Sequence, residues 1–123
     1  MRAVLGFLWV LLAAPAAADW VKVEETADRV VYIDDATIRK DMQLRWVWGV
    51  LDYREKRFDG LMSRRVLGEF DCAKEKLRIL SIFNHSLPMA QGPATPVGND
   101  PSILTDVAGS VPAAAALKIV CAR

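Results

Sequence analysis

The chain has little of what most catalytic and metal sites require. Among its 123 residues there is one histidine and there are two cysteines. A His-rich metal site is therefore excluded, and if the two cysteines are bonded to each other no thiolate remains as a ligand. The sequence contains no phosphate-cradling glycine loop, no G-x-S-x-G and no H-E-x-x-H. Asp34, Asp35 and Asp41 lie close together without the spacing or the glycine of a calcium loop, so they read as turn and solvated residues. His85 is followed by Ser86, but neighbours in an extended chain point opposite ways and make no base–nucleophile pair. His85 thus reads as a loop residue just after a strand. Asp52, Asp59 and Asp71 are conceivable acid–base groups, yet the sequence fixes no distance between them and nothing in it indicates burial. The expectation is a protein without metal, cofactor or catalytic site.

Charge of one sign is missing as well. Sixteen basic residues face fifteen acidic ones, and loss of Arg2 with a leader would balance them. A nucleic-acid binder needs a clear cationic surplus, so nucleic acid is excluded as a partner. Long apolar runs are absent beyond the N-terminus, so no transmembrane segment is expected. At the N-terminus itself, Arg2 precedes the apolar run Ala3–Ala14, then Pro15 and Ala16-Ala17-Ala18. That is the charge, apolar stretch and A-x-A site of a secretory signal. A membrane anchor would need about 20 apolar residues, and the polar segment from Asp19 begins too abruptly for a buried core helix. The reading is a signal peptide over residues 1–18, removed after Ala18, and one domain over 19–123, periplasmic or secreted. No cysteine follows the cleavage position, so a lipid anchor attached there is not expected.

Export gives the cysteines their meaning. In an oxidising compartment two cysteines are most simply one disulfide, Cys72 to Cys121; the alternative is a pair of free buried thiols. With 49 positions between them, loop-closure entropy assigns the bond about 4 kcal/mol. That is a large share of the roughly 5–15 kcal/mol typical of a whole domain.

What is present reads mainly as strands. "WVKVE" (20–24) alternates apolar and polar residues, and "RVVYI" (29–33) ends at Asp34-Asp35, a turn signal. "LRWVWGVLDY" (44–53) is the strongest strand signal. Leu44, Trp46, Trp48 and Val50 share one of its faces, while Val47, Gly49, Leu51 and Tyr53 share the other. Both faces are apolar, so a central strand is expected, with Trp46 and Trp48 in the core. "REKRFDG" (54–60) ends in the hairpin signal Asp-Gly. The run 61–72 places Val66, Gly68, Phe70 and Cys72 on one face, and "KLRILSIF" (76–83) completes a three-stranded antiparallel meander. Residues 84–110, rich in proline, read as a long loop with at most one short strand. In "SVPAAAALKIVCAR", Ser110 is an N-cap and Pro112 lies in the first helical turn. Leu117, Val120 and Cys121 share a helical face, so the cysteine lies on the apolar side. The predicted fold is α+β: an antiparallel meander sheet with a C-terminal helix disulfide-pinned to one face.

One local charge asymmetry stands out. Arg54, Lys56, Arg57, Arg64 and Arg65 flank the predicted hairpin, with Phe58 at its tip. The cluster reads either as a solvated sheet edge that discourages aggregation or as a surface that steers an acidic protein partner.

Taken in order, "VVYIDDATIRK", "RWVWGVLDY", "SRRVLGEFDC" and "GSVPAAAALKIVC" resemble the bacterial surface-adhesin protein E family over Trp20 to Cys121. The resemblance implies a curved antiparallel sheet with a C-terminal helix held on its concave side by a disulfide, at Cys72 and Cys121. It also implies a non-enzymatic surface protein that binds host matrix or serum proteins. Two function classes follow: an exported module binding a host or envelope protein, and a soluble periplasmic accessory protein with a structural or stress role.

Overall fold

The computed structural model describes Gly6, residues 20–98 and residues 105–123. Apart from Gly6, the expected signal peptide lies outside these residues, as does part of the long loop. Strands β1 (Trp20–Glu25), β2 (Arg29–Asp34), β3 (Arg39–Asp41), β4 (Leu44–Tyr53), β5 (Ser63–Asp71), β6 (Lys76–His85), β7 (Ala94–Pro96) and β8 (Thr105–Asp106) precede one helix, α1 (Val111–Cys121). All strand pairs are antiparallel, and the path across the sheet runs β1-β2-β4-β5-β6-β7. β4 is central, as its two apolar faces require. β2 pairs with its second half and β3 with its first, while β5 runs along its other side. The expected meander is β4-β5-β6.

Local chemistry sets the connections. Asp59 and Gly60 both take positive φ, 61° and 75°, as a tight hairpin turn demands. Gly49 meets a different constraint: a Cβ there would lie 2.9 Å from the Tyr32 carbonyl oxygen, so β2 and β4 can pair this closely only around glycine. Between β5 and β6 the register slips at Leu67/Gly68, a bulge that bends and twists the sheet.

The helix starts as expected. The Ser110 hydroxyl accepts from the Ala113 N–H at 3.3 Å, and Pro112 sits in the first turn. Ala113, Ala116, Leu117 and Val120 are buried against Ile33, Val47 and Phe70 of the sheet, with Val107 beside them. Small alanines bring the helix close, and the remaining apolar residues fill the layer between. The Cys72–Cys121 disulfide closes its far end, with the two Cα atoms 5.8 Å apart. Cys72 itself lies in the turn after β5, where its N–H donates to the Gln43 carbonyl at 2.8 Å.

Three expectations need correction. His85 is the last residue of β6 and is buried, not a loop residue. Trp46 and Trp48 lie on the sheet face opposite the helix and are half-buried there, because Val47 between them takes the helix side. Asp71, for which the sequence indicated no burial, is buried and caps the following turn, accepting from the N–H groups of Ala73 and Lys74.

Candidate partner-binding surfaces

The tip of the β4–β5 hairpin gathers four of the six residues singled out in the sequence. Tyr53 is buried at the end of β4, and the Arg57 guanidinium lies over its ring, 4.6 Å from the centroid. Arg54 reaches back to β1: its Nη2 lies 2.6 Å from Glu25 Oε1, and its Nε donates to the Thr26 carbonyl at 2.9 Å. Lys22 completes this exposed network at 2.8 Å from the other Glu25 oxygen. Hydrogen bonds first from Lys22 and then from Arg54 hold the Glu25 carboxyl below its ordinary pKa. Lys56 is exposed, and Phe58 is 89% exposed in the 3-10 turn at the tip.

Arg64 and Arg65 do not join that group. As neighbours on β5 they point to opposite faces. Arg64, on the helix side, donates from Nε to Asn84 Oδ1 at 2.9 Å. Arg65, on the other side, lies over the rings of Trp48 (4.2 Å) and Phe83 (5.2 Å). Trp48 and Phe83 are themselves 6.2 Å apart. On the same face Trp46 Nε1 donates to Glu69 at 3.1 Å, and Trp20 packs edge-on against Tyr32. Val50 is fully buried between its cross-strand neighbours Tyr32 and Arg65.

At one end of this face the register aligns Asp52, Ser63 and His85 across three adjacent strands. By residue type they suggest a hydrolase triad, but their bonds assign them another task. The Ser63 hydroxyl donates to the Leu87 carbonyl at 2.7 Å and accepts from the Ala90 N–H at 2.9 Å. Asp52 accepts from the Met89 N–H at 2.9 Å, and His85 Nδ1 lies 3.3 Å from the Gly92 carbonyl. These contacts hold loop 86–92 against the sheet, including the positive φ of Met89 and Ala90 at 55° and 56°. Ser63 is fully buried with its hydroxyl engaged at both lone pair and proton, so it offers no nucleophile. The sequence could not show this row, since only the register between strands brings it together.

On the helix side a cavity of about 180 Å³ remains beside the helix N-terminus, lined by Val31, Leu51, Val66, Ile79, Pro112 and Ala113 among others. Asp52 and Asp71 do not line it. The cavity brings together no acid–base pair.

The model of the family described as surface-adhesin protein E matches residues 20–122. No curated protein matches the chain. Among solved structures, crystal form II of Haemophilus influenzae protein E superposes with a TM-score of 0.68 at 16% identity, covering 88% of this chain and 91% of that one. The selenomethionine form of the same protein gives 0.68 at 18% identity, with coverage of 89% and 90%. Protein E from non-typeable Haemophilus influenzae gives 0.65 at 17% identity, with coverage of 90% and 82%. At these identities the structural likeness speaks for the fold.

Proposed function

The chain belongs to the surface-adhesin protein E family, and from that premise we propose that it is an exported, non-catalytic module that engages another protein, of the host or of the cell envelope, through the tip of its β4–β5 hairpin. The observation that carries this reading is Phe58, 89% exposed at the hairpin tip, with the exposed Lys56 and Arg57 preceding it in the chain. With Arg54 paired to Glu25 and with Glu55 and Asp59 on the same loop, Lys56 and Arg57 act by direct contact with acidic groups of a partner rather than through a net field. Arg57 is already ordered over the Tyr53 ring, so less entropy is lost when its planar fork takes a carboxylate. Phe58 supplies the apolar contact that such a site needs for a slow off-rate. Arg64 and Arg65, which leave the tip by strand alternation, are not part of it.

The test has two stages. The oxidised exported protein, expected to begin at Asp19, is used as bait against host matrix proteins and envelope extracts. The partner's affinity is then measured for Lys56→Glu/Arg57→Glu. A weakened complex with an unchanged melting temperature, and association slowed by added salt, support the tip. Unchanged affinity returns the cluster to a solvated sheet edge. Fractionation addresses the location: surface exposure supports an adhesin role, and confinement to the periplasm supports an accessory one.

A further inference from the structure

Arg65 is a cation without a counter-charge in the middle of a sheet. Its register partners are Val50 on one side and Phe83 on the other, so strands flank it on both sides. Its guanidinium is stacked over Trp48 and Phe83, and its Nε is buried with no hydrogen-bond partner. The carboxylates that share this face are engaged elsewhere. Glu69 accepts from Trp46 and lies 4.0 Å from Arg78, Asp52 holds the Met89 N–H, and Asp71 caps its own turn. Among the described residues the Arg65 side chain forms no ion pair and no hydrogen bond.

A guanidinium presents two kinds of surface. Its flat faces stack on aromatic rings, and its edge carries five N–H donors matched to a carboxylate. Here two rings lie against the guanidinium and Nε is covered, while no carboxylate among the described residues pairs with its terminal N–H groups. Contact with two rings restricts the guanidinium, so a ligand that pairs with it orders it less than it would a free side chain. Half-buried tryptophan and phenylalanine beside an arginine form the combination that dominates binding energy at protein interfaces. The face carries acidic as well as basic groups, which disfavours a polyanion such as a phosphate backbone and suits a single carboxylate with an apolar neighbour.

We propose that the sheet face opposite the helix is a second protein-binding surface, centred on Arg65 where it lies against Trp48 and Phe83. It takes an acidic segment in which an Asp or Glu carboxylate lies next to an aromatic side chain. The carboxylate pairs with the terminal Nη groups of the Arg65 guanidinium while the aromatic side chain packs beside Trp48. This surface does not depend on the hairpin tip, and either can fail without the other.

The experiment is a nuclear magnetic resonance titration of the isotope-labelled, oxidised exported protein. The probe is the peptide acetyl-Asp-Phe-Asp-amide, with acetyl-Asn-Phe-Asn-amide and inorganic phosphate as comparisons. Saturable shifts of the Trp48 indole and Arg65 Nε–H signals are expected with the acidic peptide, and binding at least about tenfold weaker with the neutral one. Arg65→Met, which keeps an apolar stem between the rings, should abolish the shifts. Arg65→Lys, which keeps the charge but loses the fork, should weaken binding about tenfold. Lys56→Glu/Arg57→Glu should leave them unchanged. Preserved amide dispersion shows that a variant is folded, and if Arg65→Met is not, Arg65→Lys carries the comparison. Equal binding of the neutral peptide, equal shifts with phosphate, shifts confined to Arg57 and Phe58, or wild-type binding by the Arg65 variants would each overturn the proposal.

Discussion

Ser63 is fully buried, and its one hydroxyl bridges two backbone groups of the loop it helps to hold. Ser63→Ala would leave the Leu87 carbonyl and the Ala90 N–H without that partner. The expected cost is about 1–3 kcal/mol, and faster hydrogen exchange should be confined to residues 86–92. Uniformly faster exchange across the sheet would count against this local role. Glu25 illustrates an exposed counterpart. Its carboxyl, held below its ordinary 4.5 by Lys22 and then Arg54, contributes stability that is present above that value and lost as pH falls through the lower folded one. Being exposed, it should give only a shallow slope, and the hairpin rather than the core should loosen in acid. Residues of this kind differ in how far the sequence reveals them. Asp59-Gly60, Ser110 and the cysteine pair act on near neighbours or have only each other, and their roles are legible. Ser63, Asp52 and His85 act across strands, and no local pattern marks them.

Among the elements, the helix shows most directly what the disulfide does. Cys121→Ser should destabilise the exported protein by about 4 kcal/mol, read as a lowered denaturation midpoint. Truncation before Ala113 should be worse, because it also removes Ala116, Leu117 and Val120 from the face they cover. Two alkylatable thiols in the native protein would remove the basis of both expectations. The long elements were readable because each has its own period: β4 with two apolar faces, α1 with its cap, proline and i, i+3, i+4 positions. The strands β3, β7 and β8, of three, three and two residues, are exposed and carry no alternation. They are strands only because β4 and β6 offer them an edge. The strand pattern misplaces Trp46 and Trp48 for a related reason. An apolar strand face announces burial, but not whether a helix or the side chains of its own sheet supply the cover.

For the whole molecule, the two-sided plan separates tasks. The helix side carries the core, while the hairpin tip and the Arg65 face lie away from it and are the surfaces proposed for partners. The disulfide then has a mechanical meaning. If the proposed binding role holds, the protein bears tension between two bodies, and Cys72–Cys121 encloses the chain from β6 to the end of α1 in a covalent loop. Tension entering near Trp20 and leaving at Arg123 would unravel β1 to β5 and then stop at the bond. With a sequence separation of 49, about 160–175 Å of contour length stays hidden at roughly 3.3–3.6 Å per residue. Single-molecule stretching between those two points should therefore release that additional length only after reduction. Equal extensions in oxidised and reduced protein would show that the loop is open under load. In the oxidised state β6, the helix and the loop between them cannot be drawn out, so stretching leaves a bounded remnant that can reseat its strands once the load drops.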